Sequence, residues 1–207
     1  RIAPKHTESI VALSDAELIA VCDVVPEKAE SLAQKYNVEA YSDYQELLQR
    51  EDIDIVTIAT PSGSHAEIGI AAAKAGKHVM VEKPMAMTLA EADLLIKTCR
   101  DCGVKLAVIH QNRFNKSIKL LRAALEAGRF GKLTHGQATI RWNRNQEYYD
   151  QAPWRGTKLQ DGGVLMNQSI HNIDLLQWML GEVDTVFGYT ATALRQIEME
   201  DVGTAVL

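Results

Sequence analysis

Residues 161–181, DGGVLMNQSIHNIDLLQWMLG, gather groups that can move or hold a proton. The run reads as one helix entered through Gly162–Gly163 and closed by Gly181, with Leu165, Ile173, Leu176 and Leu180 recurring at core spacing. At about 100° per residue, Asn167, His171, Asp174 and Trp178 share a stripe roughly 60° wide. A solvent face is the plain reading of such a stripe, although a tryptophan sits awkwardly there. The alternative is the wall of a polar active site. Taking a proton from a reacting hydroxyl needs a group that exchanges protons near the working pH. A histidine suits that task near neutral pH, so His171 is the candidate base or proton relay. Asp174 would orient it from the next turn or bind a substrate hydroxyl. Trp178 reads as packing that closes the far end of the face.

The elements that must position these groups alternate in the first half. ELIAVC (17–22) is a short buried strand ending at Asp23, and Pro26 starts a helix. DIVTIA (54–59) is a second strand, broken at TPSGSH and followed by a helix stopped by Gly76. HVMVE (78–82) leads to Lys83-Pro84 and a helix from Thr88 to Cys102, and VKLAVI leads to HQNRFN and a helix through about Ala127. Apolar strands alternating with helices predict a parallel sheet covered on both faces, which binds ligands beyond the carboxyl ends of its strands. Those ends carry Asp23, residues 60–65, residues 82–84 and residues 110–115.

An acid closing the second strand of a dinucleotide fold hydrogen-bonds the adenosine ribose diol and repels a 2′-phosphate, so Asp23 points to NAD or is an ordinary cap. Ala3 stands where the last small residue of a Gly-rich fingerprint would fall. The two earlier glycines would precede Arg1, so the chain reads as a fragment without its first strand and Gly-rich turn. Thr60, Pro61, Ser62 and His65 would shape the pyrophosphate and nicotinamide side, with His65 equally an ordinary first-turn helix residue. Lys83 would hydrogen-bond the reacting oxygen and act as a base only if burial or nearby positive charge lowers its pKa. A cis peptide before Pro84 would aim it. Glu82 pairs with a cation or caps the strand.

After Gly131 the pattern changes. HGQATIRWNR (135–144) and DTVFGYTATALR (184–195) read as half-exposed strands, DVGTAVL begins another, and NQEYYDQAPWRGTKLQ between them reads as a loop. The fold class is therefore α/β: a doubly wound parallel-sheet Rossmann domain over 1–115, then an α+β domain with an open, mostly antiparallel sheet over 116–207. The opening helix would line the cleft and bring His171 towards Lys83. Net charge is −5 with no basic cluster, which argues against nucleic acid and against a membrane surface as partners. No run approaches the roughly 18 apolar residues of a membrane span. Three cysteines make no disulfide framework, and Cys99-x-x-Cys102 closes a helix instead of opening one, against redox or zinc chemistry. His6, His78, His110 and His135 have no metal-like spacing. A reducing, cytoplasmic setting is expected.

EKPMAMTLAEA, QNRFN and GGVLMNQSIHNIDLLQWMLG, in this order, resemble the Gfo/Idh/MocA family of NAD(P)-dependent oxidoreductases over essentially the whole chain. The resemblance implies NAD as cofactor, Ala3 in place of the third fingerprint glycine, Gln111 and Asn112 against the cofactor, and Arg113 against cofactor or substrate. It also implies a homodimer or homotetramer built across the C-terminal sheet. The family's helix motif has an aspartate where this chain has Asn167, which can orient a sugar hydroxyl but cannot take its proton. Residues 148–181 are most similar to the subgroup that oxidises UDP-N-acetylglucosaminuronic acid at C3 for surface polysaccharide, in which 2-oxoglutarate reoxidises NADH. Lys158 departs from that subgroup, where an aromatic residue is expected. That resemblance makes Arg155 and Thr157 candidates for the uronate carboxylate, with Trp154 stacking on a ring. Arg155 against nicotinamide ribose, or bracing its loop, is the alternative. Competing functions are a family dehydrogenase of a free sugar or inositol, an NAD-using glycosidase, and a dinucleotide-sensing protein, which would need neither Lys83 nor His171.

Overall fold

The computed structural model describes residues 2–207. The chain forms two compact units, one running to Thr60 and including Ser64–Val108, the other Pro61–Gly63 with Ile109–Leu207.

The first unit runs α1 (Ala3–Val11), β1 (Ala20–Cys22), α2 (Pro26–Tyr36), β2 (Glu39–Tyr41), α3 (Tyr44–Leu48), β3 (Ile55–Ile58), α4 (His65–Lys74), β4 (His78–Glu82), α5 (Leu89–Asp101) and β5 (Leu106–Ile109). Strands β1 and β2 pair in parallel, with Ala20 opposite Glu39. The other three lie in the order β3-β4-β5, and β3 pairs in parallel with β4. Helix boundaries follow local chemistry. Pro26 opens α2, where its missing N–H costs nothing. Thr88 and Glu91 form a capping box on α5, each side chain taking the other's backbone N–H. Ile58, Val79, Val81 and Leu95 are almost fully buried between sheet and helices. Gly69 lets α4 and α5 approach closely, since a Cβ there would stand 2.9 Å from Leu95 Cδ1. The strand expected over 17–22 begins only at Ala20, and β2 with α3 is too short to show a period in the sequence.

The second unit contains a 3₁₀ turn (Gln111–Phe114), α6 (Lys116–Glu126), α7 (Gln146–Asp150), a π-helical segment (Val164–Ser169), α8 (Ile170–Leu180), β6 (Phe187–Ala191) and β7 (Val202–Val206). Strands β6 and β7 are antiparallel, with Phe187 opposite Val206. Three expectations are corrected. No strand forms over 135–144 among the described residues. Alternation prepares one segment for a sheet, but the ladder needs a second. The loop read over 145–160 opens with α7, capped by the Asn145 side chain on the Tyr148 N–H. The single helix over 161–181 is a π-helical entry followed by α8. Gly162 and Gly163 provide its turn at φ +80° and +75°. A Cβ on Gly163 would stand 2.3 Å from Glu200 Oε2.

Candidate functional site

In the first unit, the residues expected at the strand ends stand there. Asp23 follows β1, and its Oδ1 accepts the Val25 N–H at 2.9 Å, holding the start of α2. Ala3 is the first residue of α1, whose N-terminus has no side-chain cap. Thr60, beyond β3, accepts a hydrogen bond from the Ser64 hydroxyl at 2.8 Å. Lys83 follows β4 directly, and Lys83-Pro84 is a cis peptide.

Two histidines bear on this corner. His65 is 1% exposed, with Nδ1 2.7 Å from the Pro84 carbonyl and Nε2 3.0 Å from the Thr60 carbonyl. His6 Nε2 lies 2.8 Å from Glu82 Oε1, while Glu82 Oε2 accepts the Lys83 N–H at 3.2 Å. Burial alone would push the Glu82 carboxyl up. The His6 hydrogen bond and charge, with the Lys83 N–H, more than offset it and hold the group below the usual range. Glu82 thus has a histidine partner. That the partner is His6 could not be read from residues so far apart.

In the second unit, His171 is buried at the first turn of α8, whereas Ile173 and Leu180, expected in the core, are exposed. Asp174 receives a two-pronged bond from Arg113, Nε at 2.8 Å and Nη2 at 2.5 Å, and His110 Nδ1 lies 3.6 Å away. Trp178 packs under two guanidiniums, those of Arg113 and Arg122, each 5.1 Å from the ring centroid. Arg113, expected against cofactor or substrate, therefore has its fork engaged by Asp174. Asp174 has an arginine partner that the helical stripe did not suggest.

Asn167 is similarly engaged. Its amide nitrogen donates to Asp161 Oδ1 and its Oδ1 accepts from Gln168 Nε2 at 3.2 Å. Asp161, 3% exposed, also accepts the Gly156 N–H at 2.7 Å. Because the π-helical entry changes the residue period, Asn167 does not follow the 100° stripe projected from α8. Arg155 bonds back to the Tyr148 carbonyl at 2.6 Å and to Gln151 Oε1 at 3.1 Å, and stacks over Tyr148 and Trp154. The Thr157 hydroxyl donates to the Trp154 carbonyl at 2.7 Å. Arg155 and Thr157 nevertheless line a depression of about 290 Å³ with Gln146, Tyr149, Ile197 and Glu198. Gln111 is exposed and Asn112 half-buried in the 3₁₀ turn after β5, while Ser62 is buried. Sequence reasoning missed His6, Asp161 and Gln168. The only signal for Asp161 was its place before the glycine pair.

Burial pushes the Cys22 thiol up to about 11, Asp23 adding to the effect, and burial raises Cys99 as well. Both are poor nucleophiles at neutral pH. Among the described residues, no helix is long and apolar enough to cross a membrane.

Known proteins are similar to this chain in sequence and fold. Residues 1–110 match the family described as "Oxidoreductase family, NAD-binding Rossmann fold", and residues 118–207 match its GFO/IDH/MocA C-terminal domain. The WlbA dehydrogenase of Bordetella pertussis, solved in complex with NADH and UDP-GlcNAcA, is 41% identical. It aligns with 99% of this chain and 62% of its own, at a TM-score of 0.96. The myo-inositol 2-dehydrogenase of Thermotoga maritima is 32% identical over 100% of this chain and 61% of its own length. The inositol 2-dehydrogenase of Rhizobium meliloti is 30% identical over 98% and 59%. The chain thus spans about three fifths of the length of these two relatives. With two family domains matched in order over nearly its whole length, the chain belongs to the Gfo/Idh/MocA oxidoreductases and carries their NAD-binding Rossmann fold.

Proposed function

We propose that the protein oxidises a secondary alcohol of a sugar nucleotide by hydride transfer to NAD, acting at C3 of UDP-N-acetylglucosaminuronic acid. The observation that carries this reading is the 41% identity and 0.96 TM-score to a dehydrogenase solved with NADH and that sugar nucleotide. The inositol dehydrogenases stand at 32% and 30%. They support the second reading, oxidation of inositol or a free sugar.

NAD, when bound, supplies the hydride acceptor. Asp23 suits its ribose diol, being half-buried beyond β1 with one oxygen already fixed by Val25. The uncapped start of α1, at Ala3, suits its pyrophosphate. In our reading Thr60, Ser62, His65, Glu82, Lys83, Pro84, Gln111 and Asn112 form the cofactor side. Lys83 hydrogen-bonds the substrate oxygen and His171 takes its proton. Asp174 and Asn167 hold α8 and its entry, and Arg113 holds Asp174. Arg155 and Thr157 receive the uronate carboxylate beside Trp154. The dinucleotide domain spans 1–115 and the substrate domain 116–207, and the sheet of the second mediates a homodimer or homotetramer.

The test uses the full-length protein with NAD and follows NADH absorbance on UDP-N-acetylglucosaminuronate, UDP-N-acetylglucosamine and myo-inositol, with and without 2-oxoglutarate. Turnover confined to the uronate is expected. Turnover on inositol alone would replace this reading by the second.

A further inference from the structure

We propose that His6 and His65 are positioning residues that pin the Lys83 main chain from both sides, a role that rests on Lys83 meeting the reacting oxygen. The N–H of Lys83 is held by Glu82 Oε2, and the other oxygen of that carboxylate is held by His6 Nε2 at 2.8 Å. One residue further, the Pro84 carbonyl lies 2.7 Å from His65 Nδ1. The same ring reaches back to the Thr60 carbonyl at 3.0 Å, so it ties the end of β3 to the turn after β4. A ring with one N–H donates to one of these carbonyls, and a ring with two donates to both. At 1% exposure, with both ring nitrogens on main-chain carbonyls, His65 shapes the cofactor side through the backbone it holds. Glu82 makes the same point. A buried carboxylate paired with histidine carries a desolvation cost that an apolar residue would avoid, and simple packing does not require it. What the pair does provide is a fixed acceptor for the Lys83 N–H. The lysine side chain then leaves a peptide restrained on either side.

Lysine reactivity tests this without turnover. Wild type and the variants His65→Phe, His65→Asn, His65→Gln and Glu82→Gln are acylated with trace isotopic acetic anhydride, with and without NAD. Rates at individual lysines are read by peptide mass spectrometry, and NAD affinity is measured alongside. His65→Phe and Glu82→Gln should change the Lys83 rate by about threefold or more, equivalent to about half a pKa unit. The other lysines should stay at their wild-type rates. His65→Asn, whose amide nitrogen stands in for Nδ1, should restore the Lys83 rate, and His65→Gln should not. An unchanged Lys83 rate in folded His65→Phe overturns the proposal, as does weaker NAD binding with Lys83 unaltered. Should His65→Phe fail to fold, equal Lys83 rates in the Asn and Gln variants overturn it. Turnover of Lys83→Met separates the two claims: full activity there removes the catalytic reading and leaves the labelling result standing.

Discussion

Glu82 is the residue whose surroundings make the clearest thermodynamic statement. Its carboxyl is held below the usual range by His6 and the Lys83 N–H, against the upward push of burial. A group with a depressed folded pKa contributes stability that is fully present above its unfolded value, about 4.3 for glutamate, and is lost as pH falls through the folded value. Melting temperatures of wild type should therefore fall more steeply below about pH 5 than those of Glu82→Gln. Superimposable acid limbs in thermal melts from pH 7 to 3 would show that the His6 contact contributes nothing. At this scale the sequence was partly legible. Lys83 and Asp23 stand at strand ends because strand and loop compositions differ sharply there. The partners of polar groups were not legible, because Glu82 with His6 and Asp174 with Arg113 join residues separated by 76 and 61 positions.

Elements were read well where one period runs unbroken. Helices α2, α4 and α5 and strand β4 stand where apolar spacing, proline and glycine predict them. The reading failed where a period changes within an element. The helix of residues 161–181 was projected at one angle per residue, but its first six residues beyond Gly163 wind as a π-helix. The glycine pair that looked like a simple entry is required by its backbone. Gly163 has φ +75° and ψ −171°, a region essentially closed to residues with a Cβ, and Glu200 fills the space where that Cβ would go. Gly163→Ala should cost about 2 kcal/mol or more and lower Tm by several degrees. A melting curve like that of wild type would show that the entry relaxes freely. Gly76 offers the control: it ends α4 at φ +76° with open space around the missing Cβ, so Gly76→Ala tests backbone strain without the clash.

At the scale of the molecule, composition and the switch from alternating strands and helices to longer alternating strands near residue 131 indicated two kinds of architecture. They could not show that Pro61–Gly63 would cluster with the later residues, since a short strand-end turn has no composition of its own. The second unit presents a consequence that reaches beyond one chain. In β6, Phe187 and Tyr189 point to one face, two residues apart, and Val206 lies opposite Phe187 across the ladder. All three are exposed, at 76%, 72% and 70%. Aromatic and branched side chains grouped on one sheet face mark a surface that gains by being covered. In the homo-oligomer proposed above, a second copy related by a twofold axis would cover it with the same residues, the self-complementary arrangement commonest in closed oligomers. Phe187→Glu combined with Tyr189→Glu would set like charges against each other in such an interface while leaving β6 paired with β7 inside each chain. Sedimentation of the full-length protein should then give an oligomer for wild type and a monomer for the double variant, with unchanged far-ultraviolet circular dichroism. An oligomer that survives both glutamates would locate the assembly contact on another face.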